Sequence, residues 1–213
     1  MPLNDSNKSL HSVLNQRAFL ALVLGGIAIG FSPIFVRLAE VGPSASAFWR
    51  VTLALPLFWF WVLQEKGPKQ KGHPTTLQDY KVLLFCGFFF FLDLALWHWS
   101  LQFTTVSNAT LLSNLMPAFV AIGAFFIFKE RLGRVFYIGL LLSVLGAGLL
   151  AGNSFEAAPE RLLGDGLAVL TAITYAGYML VISWLRGRFT TAVVMFWTGA
   201  FSAIFLGSLS VIS

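Results

Sequence analysis

The sequence has few charged residues and almost no cysteine. Asp, Glu, Lys and Arg make up only 11% of the 213 residues, against roughly 25% in a typical soluble domain. The single cysteine, Cys86, cannot form an intrachain disulfide, which excludes a disulfide-stabilised scaffold. The three histidines lie in separate segments and no H-E-x-x-H motif occurs, so we expect no metal site. Because no G-x-x-x-x-G-K-[ST] loop is present either, we expect neither ATP hydrolysis through that motif nor a cofactor.

Apolar residues are abundant instead. Hydrophobic residues make up 57% of the chain, with 22 Phe and 7 Trp. A soluble domain of this size could not bury so much apolar surface in one core. The composition therefore predicts an integral membrane protein, whose main partner is the lipid bilayer. The net charge of +5 does not indicate nucleic-acid binding, because the positions of the basic residues follow membrane topology.

Seven apolar stretches are each long enough to cross the hydrocarbon core, which takes about 20 residues as a helix. None of them alternates apolar and polar residues as the strands of a membrane barrel do. We therefore expect an all-α polytopic membrane protein with about seven transmembrane helices. The predicted spans are residues 18–39, 44–63, 82–101, 107–128, 135–152, 166–185 and 192–211.

Lysine and arginine alternate between the predicted loops. With the amino terminus in the cytoplasm, eleven of the 14 basic residues fall on the cytoplasmic side, and the outer loops hold only Arg161. Cytoplasmic loops are enriched in Lys and Arg. We therefore predict a multi-pass protein with a cytoplasmic amino terminus.

The order of the spans indicates an internal repeat. Five spans precede the longer loop, so the sixth enters the membrane in the direction opposite to the first. Ala28-Ile29 is echoed by Ala172-Ile173, and Trp49 by Trp197. These features favour an inverted repeat of five helices, with only two helices in the second copy. The predicted organisation is a cytoplasmic tail (1–17), a first five-helix repeat (18–152), an outer loop (153–165) and the first two helices of an incomplete second repeat (166–213).

Several short segments carry a family resemblance. They are Phe35–Ala39, Val41–Pro43, Ala47–Arg50, Leu96–Ser100, Asn108–Leu112, Asn114–Pro117 and Glu130-Arg131. In this order and spacing they resemble an EamA-type transporter of the drug/metabolite transporter superfamily. The resemblance implies ten helices in two inverted five-helix repeats, a place in the bacterial cytoplasmic (inner) membrane, and movement of small metabolites, often outward. This chain departs from that pattern by ending after seven predicted helices.

Three polar residues on three different spans lie at similar predicted depth. At about 1.5 Å per residue, Arg50, Asp93 and Asn114 all fall slightly outside the midplane. Charged residues at this depth face the bundle interior or a cavity. We interpret the three as lining a polar cavity, in which Arg50 binds a substrate carboxylate and Asp93 binds an amine, pairs with Arg50 or carries a proton. The alternative is a structural ion pair between Arg50 and Asp93.

Aromatic residues near this level are further candidates for the substrate pathway. Trp97 shares a helix face with Asp93, whereas His98 lies about 140° away and cannot relay protons to Asp93 along one face. Both residues also fit an aromatic belt at the outer interface. Tyr175, near the midplane of span six, is suited either to stacking on a substrate or to aromatic packing.

Span four carries a stripe that contains Thr110, Asn114 and Pro117. Pro117 removes a backbone donor at mid-membrane, which frees a carbonyl group. The stripe fits the wall of a cavity with a soft point for gating. It also fits a close-packed face of small residues with a proline kink.

Small residues recur at four-residue spacing on two spans. Gly26 and Gly30 form a G-x-x-x-G pair on span one, and Gly139 and Ser143 repeat the spacing on span five, followed by Gly146. Small residues let helices approach closely in lipid. We predict that these positions serve helix packing.

The leading functional prediction is a secondary transporter or exporter of small organic metabolites, amino-acid-like or drug-like, that works by alternating access. A gradient such as that of protons would drive it. An incomplete, non-transporting fragment or a partner-dependent subunit, including a homo-oligomer, is the alternative. An intramembrane enzyme is disfavoured, because an aspartyl protease needs two membrane carboxylates and the spans hold only Asp93, and because no G-x-S-x-G motif occurs. We therefore expect no catalytic residue.

Overall fold

The computed structural model describes residues 5–38, 41–65, 72–129, 133–152 and 159–212. Regular structure in these ranges is helical apart from one β-bridge between Gly72 and Phe189, which confirms the all-α prediction. The helices are α1 (Asp5–Leu38), α2 (Pro43–Gln64), α3 (Leu77–Phe103), α4 (Val106–Ser113), α5 (Met116–Phe128), α6 (Arg134–Gly152), α7 (Pro159–Leu185) and α8 (Thr191–Ile212).

Six of the seven predicted spans meet the length and hydropathy of a membrane-crossing helix among the described residues. Helices α4 and α5 together supply one of the six, over Val106–Phe128. The remaining predicted span corresponds to α6, whose apolar part is the shorter stretch Val135–Gly146. The chain is a multi-pass membrane protein.

Two helices begin earlier than the sequence predicts. Helix α1 starts at Asp5, so that much of the predicted tail at 1–17 is helical. Helix α7 starts at Pro159, within the predicted outer loop at 153–165. Proline suits the first position of a helix because its fixed φ is already helical and its missing N–H has no partner to lose. Residues 153–158 lie outside the described residues.

The fourth predicted span is two helices rather than one continuous helix. Helix α4 ends at Ser113 and α5 begins at Met116. Pro117 follows directly, and a proline cannot donate to the carbonyl four residues earlier, which belongs to Ser113. The chain turns tightly instead, with the Leu115 N–H donating to the Leu112 carbonyl at 3.1 Å. The break therefore lies before Pro117, on its amino-terminal side.

The described chain divides into two compact units. Helix α1 belongs to the first, and α2 to α8 form the second. In the second unit α3 is central, since it packs against α2, α7 and α8, while α7 also contacts α4 and α5. The two helices predicted to open a second repeat, α7 and α8, thus pack directly on helices of the first repeat.

Close helix packing in the second unit occurs at glycines that the spacing argument did not single out. A Cβ on Gly87 of α3 would lie 2.7 Å from the Cβ of Phe201 and 2.9 Å from the Thr198 carbonyl oxygen on α8. A Cβ on Gly177 of α7 would lie 2.6 Å from the ring of Phe89. These positions allow α3 to approach α7 and α8 closely.

The predicted packing residues are placed differently. On α6, no described atom comes within 4 Å of a Cβ built at Gly139 or Gly146, and Ser143 lines a cavity. Gly26 and Gly30 lie on α1, in the first unit. A packing role for these five residues stays a prediction.

Candidate functional site

Arg50 of α2 meets two consecutive side chains of α3. Its guanidinium Nη1 lies 3.4 Å from Nε2 of His98, and its Cζ lies 5.6 Å from the centre of the Trp97 ring. The indole and imidazole rings contact each other edge to face, with centroids 5.1 Å apart. A guanidinium over an aromatic face gains cation–π attraction. The two rings therefore hold the charge of Arg50 within a membrane-spanning part of the bundle.

The hydrogen bonds of His98 determine which ring nitrogen carries the proton. His98 is fully buried, and its Nδ1 lies 2.7 Å from the carbonyl oxygen of Leu94. A carbonyl only accepts and a guanidinium only donates. Nδ1 therefore donates to Leu94, and Nε2 accepts from Arg50, which describes a neutral imidazole. Full burial does not suit a residue of an interfacial belt, and both ring nitrogens are used without Asp93.

Asp93 lies on α3, five residues before His98, and is half-buried. It interacts electrostatically with Arg50 and with Tyr175 of α7. Among the described side chains, no hydrogen bond or ion pair joins Arg50 to Asp93 directly. The carboxylate and the guanidinium therefore interact electrostatically without direct contact.

Tyr175 is one member of a stacked row of rings beside Asp93. Its ring lies 6.0 Å from that of Tyr178 at an interplanar angle of 20°, and the Tyr178 ring stacks on Phe90 at 4.8 Å. This packing fixes the Tyr175 ring. The structure thus places Arg50, Asp93, Trp97, His98 and Tyr175 around one region of α2, α3 and α7, which we call the Arg50 site.

The polar residues of span four lie elsewhere. Asn114 and Pro117 are exposed and line a cavity of about 260 Å³ together with Gly139 and Ser143 of α6. Its lining residues all lie between Asn114 and Ser143, so none comes from α2 or α3. Asn114 shares the predicted depth of Arg50 and Asp93, but neither of these residues lines its cavity. The hydroxyl oxygen of Thr110 is buried without a hydrogen-bond partner among the described residues.

Polar contacts join two helix pairs at the basal end of the bundle, where α2 and α7 end and α3 and α8 begin. The Asp79 carboxylate lies 3.0 Å from the Arg188 guanidinium. The Glu65 Oε2 accepts from the backbone N–H of Ala192 at 3.3 Å. No role was predicted for these residues from the sequence. A carboxylate next to a predicted span is visible in the sequence, but its partner on a distant segment is not.

The local sequence explains why Asp79 is well placed. Thr76 precedes α3 and accepts from the Asp79 N–H, while the Asp79 side chain accepts from the Thr76 N–H at 3.1 Å. This reciprocal arrangement is a capping box, and it satisfies backbone donors at the start of the helix. The capping bonds therefore hold the carboxylate in place independently of its contact with Arg188.

The apical end, where α2 and α7 begin and α3 ends, has its own contacts. The Thr104 hydroxyl donates to Asp165 Oδ1 at 2.6 Å, and Nε1 of Trp99 donates to the Ser44 hydroxyl at 3.3 Å. These bonds tie the end of α3 to α7 and to α2. Both ends of the bundle are thus held by polar contacts, with the Arg50 site between them.

Comparison with known proteins decides the family. The EamA-like transporter family model matches residues 16–152. The chain belongs to this family.

Three relatives agree with this assignment. The chain is 25% identical over 205 residues to YetK, an uncharacterized transporter of Bacillus subtilis strain 168, covering 93% of this chain and 59% of YetK. It is 27% identical over 202 residues to an uncharacterized transporter of Archaeoglobus fulgidus, covering 91% of this chain and 66% of that protein. It is 25% identical over 177 residues to the B. subtilis uncharacterized transporter YxxF, covering 81% of this chain and 55% of YxxF.

The family membership confirms the resemblance inferred from the short motifs. The matched residues include α2 to α6, and thus Arg50, Asp93, Trp97 and His98 of the Arg50 site. The chain spans less than two thirds of the length of these relatives. It is a multi-pass membrane protein of the EamA-like transporter family.

Proposed function

We propose that this chain forms the solute-binding part of a secondary transporter for small organic metabolites that works by alternating access. One observation carries the proposal. A guanidinium lies on a membrane-spanning helix, held by His98 and Trp97, and no hydrogen bond or ion pair in the described part of the chain joins it directly to the Asp93 carboxylate. Charged side chains at this depth are costly and mark substrate or ion pathways by default.

Arg50 is suited to bind a carboxylate. A guanidinium has five N–H donors in a planar fork, and His98 takes one of them. The remaining donors match the two oxygens of a carboxylate. Arg50 is exposed, so neighbouring helices of the described chain do not enclose these donors. Amino-acid-like solutes fit this site, since their amine could be bound by Asp93.

Asp93 is suited to respond to the solute or to a proton. It is the one carboxylate in the predicted spans, and it interacts electrostatically with Arg50 and with Tyr175. A carboxylate in such a place either binds a cationic group or takes up a proton. Proton coupling through Asp93 is therefore part of the proposal.

The polar contacts at the two ends of the bundle are suited to act as gates that form and break. The basal pairs, Asp79 with Arg188 and Glu65 with Ala192, join the α2–α3 side to the α7–α8 side. Alternating access requires such contacts to form on one side of the site and break on the other. By the positive-inside prediction, the basal end faces the cytoplasm.

The test is a transport assay on the 213-residue chain and on the complete product of its gene. Each is reconstituted in proteoliposomes, and uptake of labelled amino acids and other small carboxylates is followed with and without a proton gradient. We expect the complete product to transport at least one solute. We expect Arg50→Ala and Asp93→Ala to abolish this transport while insertion is retained.

Control variants distinguish a solute-binding role of Arg50 from a structural one. Arg50→Lys keeps the charge but loses the planar fork, so we expect at most weak rescue. Retained transport in a well-inserted Arg50→Ala variant would make Arg50 structural and overturn the proposal. If only the complete product transports, the 213-residue chain is an incomplete, non-transporting fragment, which is the first alternative given above.

A further inference from the structure

A second cavity, of about 450 Å³, lies at the basal end, away from the Arg50 site. Its walls come from the end of α2, the beginning of α3 and the beginning of α8. We call it the basal pocket, and its main lining residues are Trp59, Glu65, His73, Tyr80, Phe196 and Trp197. Its volume lies within the range of small-molecule sites, about 300–1,000 Å³.

Four aromatic side chains of the basal pocket form a connected set. The rings of Trp59 and Phe196 lie 5.1 Å apart, those of Tyr80 and Trp197 lie 5.1 Å apart, and Phe196 contacts Trp197 at 5.5 Å. The Tyr80 hydroxyl is fixed by donating to the Pro74 carbonyl at 3.2 Å. Mutual contact fixes these rings, so that the aromatic wall needs little reorganisation to bind a ligand.

Glu65 brings a negative charge to this aromatic wall. Its Oε2 accepts from the Ala192 N–H, which positions the carboxylate. A carboxylate has about four lone-pair sites on two oxygens, so one backbone bond leaves most of its accepting capacity unused. Among the described lining residues there is no lysine or arginine to neutralise it.

An aromatic wall with one carboxylate is the chemistry that recognises an organic ammonium ion. Ring faces carry negative electrostatic potential and attract cations, and quaternary ammonium ligands are bound by such aromatic cages. A neutral apolar ligand would desolvate Glu65 without compensation, and an anion would be repelled. We propose that the basal pocket binds an organic ammonium ion, with Glu65 and the surrounding rings as its ligands.

This ammonium group could belong to a free solute or to a lipid headgroup, because aromatic residues at a membrane interface also meet headgroups. The experiment therefore uses the purified 213-residue chain in maltoside micelles, which contain no ammonium group. Binding of choline is measured by saturation-transfer NMR and compared with 3,3-dimethyl-1-butanol, its neutral isostere. Soluble short-chain phosphatidylcholine and phosphatidylglycerol are then tested as competitors.

We expect choline to bind at least about tenfold more tightly than the neutral isostere, a difference of about 1.4 kcal/mol. Glu65→Gln keeps an acceptor for Ala192 but removes the charge, and we expect it to remove this preference. Trp59→Leu should weaken choline binding, whereas the matched control Trp49→Leu, an exposed tryptophan on the same helix that does not line the pocket, should not. Circular dichroism melting checks that each variant is folded.

The outcomes are distinct. Competition by phosphatidylcholine but not phosphatidylglycerol, at lower concentration than choline, identifies a headgroup as the occupant. Equal or weaker competition identifies a free cation. Equal binding of choline and its neutral isostere, or an unchanged preference in a folded Glu65→Gln variant, overturns the proposal. Because the readout is binding at the basal pocket, it is independent of transport through the Arg50 site.

Discussion

Asp79 and Arg188 form an ion pair that joins the first turn of α3 to the segment between α7 and α8. The Asp79 side chain is only 5% exposed, whereas that of Arg188 is 48% exposed. Asp79 keeps its capping bonds to Thr76 without Arg188, so removing the cation breaks the link between segments and leaves the helix start intact. Arg188 also lies over the rings of Trp184 and Phe189. The pair is therefore a contact between segments whose removal can be studied by itself.

Arg188→Gln should loosen the basal end. A partly exposed ion pair contributes up to about 1 kcal/mol, so the opened form should be populated about two- to fivefold more. Cys86 is the only cysteine and is fully buried on α3, which makes it a native reporter. We expect maleimide labelling of Cys86 to accelerate by that factor. Lys81→Gln, an exposed change on the same turn of α3, is the control, and equal labelling rates in the wild type and Arg188→Gln would contradict the prediction.

His98→Leu should impair the Arg50 site by removing the acceptor for its guanidinium. A hydrogen bond to a charged group contributes about 1.5–3 kcal/mol, although this one is long at 3.4 Å. We expect KM for the solute to rise about tenfold in proteoliposomes, with a smaller change in maximal rate. His98→Gln provides a side-chain oxygen for Arg50 and should retain most of the affinity. If His98→Leu and His98→Gln behave alike, His98 does not act by positioning Arg50.

Pro117→Ala should join α4 and α5 into one helix. Alanine supplies an N–H for the Ser113 carbonyl, whereas a proline in the interior of such a joined helix would cost about 3 kcal/mol. We expect a higher melting temperature and slower transport, because the break at mid-membrane is lost. Pro56→Ala is the matched control, since Pro56 lies within α2 without interrupting it. Higher stability with unchanged transport would show that the break has no part in gating.

Gly87→Val should disrupt the contact between α3 and α8. The added Cβ would lie 2.7 Å from Phe201 and 2.9 Å from a backbone oxygen of Thr198, and overpacking of this kind costs about 1–3 kcal/mol. We expect unfolding at a lower SDS fraction. Gly139→Val on α6 meets no described atom within 4 Å of its Cβ and should have little effect. A similar loss in both variants would point to helix propensity rather than packing.

The sequence predicted the helical class and the family, because span length and hydropathy depend on residues that are adjacent in the chain. Depth in the membrane was also accessible, since it follows from the rise per residue. Rotation about each helix axis was not. Arg50 and Asn114 share a predicted depth, yet Asn114 lines a cavity with α6. The depth of a residue in the membrane does not show which neighbouring helix its side chain faces.

Contacts between residues far apart in the chain could not be predicted from the sequence either. The helical angle predicts that His98 and Asp93 lie on different faces of α3, but it cannot show that Arg50 of α2 contacts His98. The four-residue spacing selected Gly139 and missed Gly87, because a single glycine against a partner helix leaves no periodic signal. A close approach between two helices depends on the residues of both, whereas a local motif describes the residues of only one helix.

The hydrogen bond between Glu65 and Ala192 spans 127 positions of the chain. Helix α8 has no acidic residue in its first turn, and the carboxylate that accepts from its Ala192 N–H comes from the end of α2. During synthesis α2 leaves the ribosome well before α8. The Glu65 acceptor is therefore already synthesised when the Ala192 donor emerges, so α8 can take its register against α2 as it is inserted.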